Sequence, residues 1–408
     1  MSLYTKLAWR NIFRNKRRTY ITGTAIAIGL AALIFLDALY LGMANNMIVS
    51  ATASFTGEGQ IHARGFLDSQ DVDLTVSALD KVEAGLRQDP RVKAFTERTL
   101  SQGMVTSTSN VNAVLLVGVR PETEKDLSQV DDVITQGAFF SGDDPQNIVI
   151  GSRLAELLEV GLGDRVVVTV AQAGSGELSQ DLFRVSGIYH FNIQDLDGGL
   201  AFVRIGKAQS MLGLDHRANE IALAFKDPRL SQDESNPFWA EYSTDGNEAL
   251  GWTRLFPALK DIYSLTQIGT LIIGIILFAV VALGIINTLF MSIYERMFEF
   301  GVMRAVGTRP WGIRKLVIQE AGALALLSIG LGVALGLVLT AVISRTGINY
   351  EGVEFAGVTI RNLIYPVLRV RQFIVYPAAV LVFTLFVGLY PAAYAARMSL
   401  AGAMKRTL

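Results

Sequence analysis

The 408-residue chain contains no cysteine, and charged residues make up only 18% of it, whereas ordinary globular domains carry about 25%. The lack of cysteine excludes disulfides, thiolate nucleophiles and cysteine metal ligands. Prolines are also few, 10 against 38 glycines with no repeating period, which together with 21 Phe and 12 Tyr excludes collagen-like and disordered chains. Because 51% of the residues are hydrophobic, a purely soluble enzyme is not expected.

Motifs that carry common chemistry are also missing. The sequence has no GxxxxGK[ST] phosphate loop, no HExxH zinc motif and no GxSxG nucleophile elbow. Asp195 and Asp197 precede two glycines as in the opening of a calcium loop, but the remaining ligands are missing, which favours a surface turn. Three scattered histidines show no metal-ligand spacing: His62, His190 and His216. We therefore predict no catalytic, metal-binding or cofactor-binding residue on this chain, and no nucleic-acid partner.

Long uncharged runs are present instead, and a helix needs about 20 apolar residues to cross a bilayer. Four runs qualify, and they predict transmembrane helices at 19–43, 263–292, 316–344 and 372–396. Residues 44–262 lie between the first two. The predicted fold class is therefore a membrane α-helical protein with four transmembrane helices and a large extracytoplasmic α/β domain inserted between helices one and two.

The net charge of −1 is the sum of two unlike parts, since residues 44–262 carry −13 and the remainder +12. Segments 1–18, 293–315 and 397–408 together hold 14 Lys and Arg, against four in segment 345–371. Short cytoplasmic segments are the ones enriched in Lys and Arg. We therefore expect both termini in the cytoplasm, and the acidic domain and the 345–371 loop outside. A cleavable signal peptide in 1–43 is the alternative, although its apolar part exceeds the usual 7 to 15 residues.

Segment 1–18 alternates apolar and basic residues in a pattern typical of a helix lying on a membrane surface. The apolar positions are Leu3, Leu7, Trp9, Ile12 and Phe13, and the basic ones are Lys6, Arg10, Arg14, Lys16, Arg17 and Arg18. An ordinary basic tail that sets the topology is the alternative. Both interpretations place the segment on the cytoplasmic face.

Two features inside the predicted spans invite interpretation. Asp37 follows 18 uncharged residues and so lies about 27 Å from the inner boundary. It is either an interfacial carboxylate or a functional group within the span.

In the third span Ser328, Gly332 and Gly336 recur every four residues and predict close approach of another helix, without identifying that helix.

The domain 44–262 has mixed α/β patterning. Segments rich in Val, Ile and Phe predict strands at 60–64, 113–119, 148–150, 165–170, 183–190, 201–205 and 220–225. Helical patterns occur at 77–88 and 152–159, and the stretch 171–178 predicts a hairpin tip.

The connector between the second and third spans predicts a short inserted helix. Good helix formers run to Gly307, a suitable C-terminal cap, and Pro310 suits the start of the next helix. Its apolar residues Met297, Phe298, Phe300, Val302 and Met303 need lipid or protein to cover them. An interfacial helix resting on lipid therefore remains an alternative to a docking element. Gly301 favours either close packing or tolerance at a surface.

The connector ERMFEFGVMRAVGTRPWGIRKL (295–316) resembles the "ER..E.G..RA.G" signature of ABC transporter permeases of the MacB, LolC/LolE and FtsX superfamily. The order of one span, a large outer domain and three further spans is similar as well. NIVIGSRLAELLEVGLGDRVVVTV (147–170) resembles the outer core domain of that family, and YPAAYAARMSLAGAMKR (390–406) resembles its C-terminal signature.

This resemblance implies a non-catalytic permease in the inner membrane of a diderm bacterium. Such a permease pairs with a second copy or a paralogue, and a cytoplasmic ATPase subunit that binds ATP and Mg²⁺ docks on the connector, called the coupling helix. Closing of the ATPase then moves the spans and the periplasmic domain, a cycle called mechanotransmission. With about 18 residues before its first span, the chain is expected to use a separate ATPase, as in the LolC/LolE arrangement.

The expected function is release of lipoproteins toward the outer membrane, with membrane lipids and a periplasmic chaperone or adaptor as further partners. MacB-like export of peptides, lipids or other amphiphiles is the alternative, as is FtsX-like regulation of periplasmic partners. A sensor or scaffold without an ATPase is a different class of function. The residues expected to couple to the ATPase are Glu295, Arg296, Met297, Glu299, Phe300, Gly301, Met303, Arg304, Ala305 and Gly307.

Overall fold

The computed structural model describes residues 3–14, 16–140, 142–349, 354–355, 358–359 and 363–397. For residues 3–5, 262–263, 267, 354–355 and 358–359 it describes the backbone alone, so the predicted contribution of the Leu3 side chain lies outside the described part. The chain divides into two compact units, a helical one and an α/β one that contains Asn45–Ile262.

The secondary-structure elements follow one another in this order along the chain. The helices are α1 (Leu3–Ile12), α2 (Lys16–Ala51), α3 (Phe66–Ser69), α4 (Leu79–Gln88), α5 (Pro121–Glu124), α6 (Ser152–Leu158), α7 (Gln194–Gly199), α8 (Ile205–Leu212), α9 (Pro237–Tyr242), α10 (Trp252–Leu255), α11 (Pro257–Glu295), α12 (Met297–Ala305), α13 (Pro310–Thr346) and α14 (Gln372–Arg397). The strands are β1 (Gly59–Ala63), β2 (Val92–Thr106), β3 (Val111–Val119), β4 (Ile134–Gly137), β5 (Asn147–Gly151), β6 (Arg165–Ala171), β7 (Leu178–Tyr189), β8 (Leu200–Arg204), β9 (Glu220–Phe225), β10 (Asn247–Gly251), β11 (Glu354–Phe355) and β12 (Val358–Thr359). A π-helical turn, Thr52–Thr56, follows α2, and a 3-10 turn spans Pro228–Gln232.

Four helices, α2, α11, α13 and α14, are long and apolar enough to cross a membrane. Each contains one of the four predicted runs. All four extend beyond the predicted spans. The largest extensions are those of α2, which continues past residue 43 to Ala51, of α11, which begins at Pro257 rather than at 263, and of α13, which begins at Pro310 rather than at 316. The extension of α2 has a local reason, since residues 44–51 contain neither Gly nor Pro. The helical path ends only near Gly57, whose φ is +82°.

The small residues of α13 pack against α2 of the same chain. A Cβ on Gly332 would lie 2.8 Å from the carbonyl oxygen of Ala27, and a Cβ on Gly336 would lie 3.3 Å from the Cα of Ala31. The Oγ of Ser328 lies 3.3 Å from a Cβ built on Gly23. The predicted close approach is therefore confirmed, and its partner helix is α2.

Two predicted segments lie partly outside the described residues. Within the predicted loop 345–371, Ile348 and Ile364 form an isolated antiparallel bridge, and the backbone amide of Val367 donates to the carbonyl of Ala38 at 2.9 Å. The predicted tail, 397–408, is described at Arg397 only.

The α/β unit is built on a ten-stranded sheet in the order β10-β1-β9-β2-β3-β8-β5-β7-β4, with β6 pairing both β2 and β7. Six strands pair in a closed circuit, in the order β2, β3, β8, β5, β7, β6 and back to β2. The side chains buried inside this circuit include Val105, Leu116, Ile148 and Val168. All seven predicted strands are present. The predicted helices correspond to α4 and α6, and the hairpin tip closes at the Ala171 and Leu178 pair.

The longest strand, β2, was not predicted, and neither were β4 and β10. Much of β2 is polar (VKAFTERTLSQGMVT), which conceals the alternation expected of a strand. Its central residue Arg98 is nevertheless fully buried, because Glu124 and Glu220 neutralise its charge. The tertiary neighbours of β2 therefore determine its structure more strongly than local hydrophobicity does.

Candidate coupling site

The connector forms a separate helix, α12, set off from α11 by a break at Arg296. The backbone angles of Arg296, φ −111° and ψ 17°, interrupt the helix, so Glu295 ends α11 and Met297 begins α12. At the other end Gly307 adopts a φ of +99°, and the amide of Thr308 donates to the carbonyl of Met303 at 2.9 Å. The predicted cap at Gly307 and the start of the next helix at Pro310 are thus confirmed. Of the ten expected coupling residues, Glu295 and Arg296 precede α12, and Gly307 follows it.

One face of α12 packs into the core of the helical unit. Phe300 is only 3% exposed and belongs to the same cluster as Ile293, Ile313 and Leu316. Gly301 beside it is also buried, which settles its role as a close-packing residue. Both residues are therefore covered by their own chain, and their role in coupling stays a prediction.

The opposite face of α12 is apolar and exposed. Phe298 is 51% exposed and Val302 43%, and Val306, just after the helix, is 83% exposed. Their four-residue spacing places them on one face of a helix. None of the three is among the ten expected coupling residues. The i, i+4, i+8 spacing could have identified them, but the sequence alone did not show which of two apolar faces packs inward.

A chain of ion pairs fixes α12 to its neighbours. Arg296 Nη1 lies 2.5 Å from Glu320 Oε1 on α13, and Arg296 Nε lies 2.9 Å from Glu299 Oε2 on α12. Arg14, which lies between α1 and α2, contacts Glu299 Oε1 at 2.5 Å. Asn11 on α1 donates to Glu320 at 2.6 Å. The connector helix, the N-terminal helix and α13 therefore share one polar network.

The electrostatics of this network favour the charged forms of Glu299 and Arg296. Burial disfavours the ionised form of Glu299, but hydrogen bonds from Arg296 and Arg14 outweigh it and hold the pKa of this carboxyl below its ordinary value. Burial likewise opposes the charge of Arg296, yet the nearby carboxylate of Glu320 and the hydrogen bonds raise its pKa. Breaking a buried ion pair costs about 3 to 5 kcal/mol, so the Arg296 and Glu320 pair holds α12 firmly on α13.

The remaining expected residues occupy the margins of the site. Met297, Met303 and Arg304 are half-buried, and Ala305 and Gly307 are exposed. The Oε2 of Glu295 lies 3.2 Å from the Nη1 of Arg18, at the first turn of α2. Only part of the expected set therefore borders the exposed stripe.

The predicted amphipathic helix in segment 1–18 is present as α1. Its Ala8 and Ile12 are buried in the helical unit, whereas Trp9 and Phe13 are exposed and meet edge to face at 5.7 Å. The basic residues 16–18 instead form the first turn of α2. The segment is thus a defined helix packed against the bundle and not an extended basic tail.

Comparison with known proteins places these features in a family. Residues 271–400 match the family model described as FtsX-like permease C-terminal, and residues 19–233 match the model of the MacB-like periplasmic core domain. The lipoprotein-releasing system transmembrane protein LolC of Neisseria meningitidis serogroup B is 23% identical over 340 residues, which are 79% of this chain and 76% of LolC. The corresponding protein LolE of Haemophilus influenzae is 22% identical over 341 residues, covering 79% of this chain and 80% of LolE.

Among solved structures, the periplasmic region of MacB from Actinobacillus actinomycetemcomitans aligns with 52% of this chain and 98% of its own length, at 14% identity and a TM-score of 0.35. The assignment rests on the family models, of which the MacB-like model alone matches more than half of the chain. The chain therefore belongs to the family of ABC transporter permeases that includes LolC, LolE and MacB.

Proposed function

We propose that this chain is the membrane-spanning permease of an ABC transporter whose ATPase is a separate subunit, and that the transporter releases lipoproteins from the inner membrane. The observation that carries the proposal is the exposed apolar stripe of Phe298, Val302 and Val306. A soluble partner that covers this stripe removes apolar surface from water, and each buried aliphatic or aromatic side chain contributes roughly 1.5 to 3 kcal/mol.

The charge distribution supports the orientation that such docking requires. The connector and the first 18 residues are rich in Lys and Arg, which favour the cytoplasmic side. The domain of residues 44–262, with its charge of −13, then lies in the periplasm.

The ion pairs provide a route for movement from the ATPase into the spans. A partner that pulls on α12 also moves α13 through Arg296 and Glu320, and moves the start of α2 through Arg14 and Glu299. Because Phe300 is packed in the core, α12 moves together with the bundle and does not slide over it. A second permease, either identical or paralogous, completes the proposed assembly.

The substrate is proposed from the relatives. Two proteins that resemble the chain over 79% of its length are named as components of lipoprotein-releasing systems. Lipoproteins are anchored in the outer leaflet by acyl chains, and the four apolar helices would lie at that depth.

The test is co-elution of the ATPase subunit with purified permease variants. Val306→Asp places a carboxylate on the exposed stripe, and an unpaired charge buried against an apolar surface costs several kcal/mol. We expect this variant to lose the ATPase. The matched control is Leu178→Asp, an apolar position in the α/β unit that is 71% exposed, and this variant should retain the ATPase.

Equal recovery of the ATPase with Val306→Asp, from a variant that shows the wild-type thermal transition, would refute docking at the stripe. It would instead favour a connector that rests on lipid. With the complex in proteoliposomes, ATP should then release an acylated lipoprotein into the supernatant. Export of a soluble peptide in place of that release would favour the MacB-like alternative.

A further inference from the structure

A cavity of about 430 Å³ lies among α2, α11 and α14 in the helical unit. Its polar lining consists of Asp37, Arg369, Arg371, Gln372 and Tyr376, together with the hydroxyl-bearing Thr270, and the rest of its wall is apolar. The cavity is separate from the connector site and is not explained by ATPase docking.

The carboxylate that lines the cavity, Asp37, is held in one arrangement. Gln372 is 3% exposed; its Nε2 donates to Asp37 Oδ2 at 2.8 Å, and its Oε1 accepts from the backbone amide of Arg369 at 2.9 Å. The hydroxyl of Tyr376 also hydrogen-bonds Asp37. These donors are neutral, and among the described residues no Lys, Arg or His forms an ion pair with Asp37. Asp37 is therefore a fixed carboxylate that forms no ion pair among the described residues.

The lining of the cavity also includes two arginines. Arg369 and Arg371 are exposed and lie within three residues of the start of α14. In the described part of the chain neither forms an ion pair with a carboxylate. Guanidinium groups bind phosphate oxygens through paired, charge-assisted hydrogen bonds. These two arginines therefore match a phosphate group.

The apolar wall continues from the cavity onto the surface of the bundle. Leu33 of α2 is buried and Phe278 of α11 is half-buried, whereas Leu271 and Ile275 are more than half exposed. An alkyl chain laid along this wall would remove their apolar surface from water or from loosely packed lipid. The wall thus matches the tail of an amphiphile.

The position of the cavity matches an outer leaflet. At 1.5 Å per residue, Asp37 lies roughly 30 Å along α2 from the basic first turn, about the thickness of the hydrocarbon core. This step rests on the proposed function, because it assumes that the four helices span the membrane with their basic ends inside.

We propose that this cavity binds a phospholipid with an amine headgroup, such as phosphatidylethanolamine, from the outer leaflet. Arg369 and Arg371 bind the phosphate, Asp37 binds the ammonium group, and one acyl chain follows the wall formed by Leu33 and Phe278. Arg369, Arg371 and Asp37 form no ion pairs among the described residues, so the cavity offers two cations and one anion to a ligand. This favours a lipid with both a phosphate and an amine over an acyl anchor, which has no phosphate, and over an anionic lipid without an amine.

The test measures lipid binding to the full-length chain in detergent by native mass spectrometry. Three lipids with the same dioleoyl chains serve as probes: phosphatidylethanolamine, phosphatidylglycerol and diacylglycerol. We expect the wild-type protein to bind them in that order, with roughly tenfold between the first and the last, since hydrogen bonds to charged groups contribute on that scale. Water-soluble phosphoethanolamine should bind far more weakly than the lipid that carries it.

Two variants separate the two ends of the headgroup. The double change Arg369→Gln and Arg371→Gln should reduce binding of phosphatidylglycerol to the level of diacylglycerol. Binding of phosphatidylethanolamine should weaken as well but stay above that level, because Asp37 still binds the ammonium group. Asp37→Asn should lower the binding of phosphatidylethanolamine to the level of phosphatidylglycerol. The binding of phosphatidylglycerol itself should not change. Arg345→Gln, an exposed arginine that does not line the cavity, is the matched control and should change nothing.

Equal binding of diacylglycerol and phosphatidylethanolamine would overturn the headgroup assignment, and tight binding of free phosphoethanolamine would identify an anion site instead of a lipid site. Unchanged lipid preference in correctly folded variants would also overturn it. The lipid measurement does not involve the ATPase. If the lipid preference is as expected but Val306→Asp retains the ATPase, only docking at the stripe is overturned. If Val306→Asp loses the ATPase but the lipid preference is absent, only this lipid site is overturned.

Discussion

The fully buried Arg98 of the α/β unit gives the sharpest test of how this fold is held together. Its guanidinium donates to Glu124 at 2.6 and 3.0 Å, to Glu220 at 2.9 Å and to the carbonyl of Phe55 at 2.6 Å. Its carbon Cζ also lies 4.0 Å from the centre of the Phe55 ring. Because Phe55 lies in the π-helical turn that follows α2, Arg98 fixes the end of that helical path to the sheet.

We expect Arg98→Met to preserve most of the side-chain volume but to leave two buried carboxylates without a cation. Breaking a buried ion pair in this way costs about 3 to 5 kcal/mol. For a unit of this size that loss lowers the midpoint of thermal unfolding by roughly 10 °C. Adding Glu124→Gln and Glu220→Gln removes the uncompensated charges and should restore part of the difference.

The loss should also depend on pH. Burial raises the pKa of Glu220, and Arg98 opposes that rise. Without Arg98 the folded-state pKa rises further above the unfolded value. A carboxyl with a raised pKa is protonated more readily in the folded state, so its burial costs least at low pH. The difference in the free energy of unfolding between wild type and Arg98→Met should therefore shrink as the pH falls from 7 toward 5.

The assay combines thermal unfolding of the full chain in detergent with hydrogen exchange of peptides around Phe55, Glu124 and Glu220. Arg91→Met is the matched control, since Arg91 forms partly exposed pairs with Asp89 and Glu241, and such pairs contribute at most about 1 kcal/mol. The reasoning would be refuted if Arg98→Met and Arg91→Met unfolded at the same temperature and the peptides around Phe55 exchanged no faster.

Two further predictions concern the helical unit and the orientation of the chain. Gly332→Val should lower the thermal midpoint of the full chain, because a Cβ at this position would lie 2.8 Å from the carbonyl oxygen of Ala27. Gly330→Val on the same helix should leave the midpoint unchanged, because a Cβ there meets nothing within 4 Å. Equal effects of the two changes would contradict the packing of α13 on α2. In intact spheroplasts an impermeant maleimide should label Ser175→Cys, at the tip of the β6 and β7 hairpin, and should not label Thr308→Cys; labelling of position 308 from outside would overturn the proposed topology.

The sequence by itself determined the features that depend on local composition. The four long uncharged runs predicted the four long helices, and the segments rich in Val and Ile between Ala113 and Phe225 predicted strands, as the structure shows. The cap at Gly307 and the proline at the start of α13 followed from backbone chemistry that needs no distant partner.

Tertiary structure decided which side of each element faces inward. Both faces of α12 are apolar, so only the packed bundle shows that Phe300 is core and that Val302 is exposed. The polar strand β2 exists because Glu124 and Glu220, distant in sequence from Arg98, supply the charges that allow it to be buried. Likewise Asp37 acquired its neighbours Gln372 and Tyr376 from a helix more than 300 residues away. Local propensity acts over a few residues, whereas burial and charge compensation depend on partners that only the folded chain brings together.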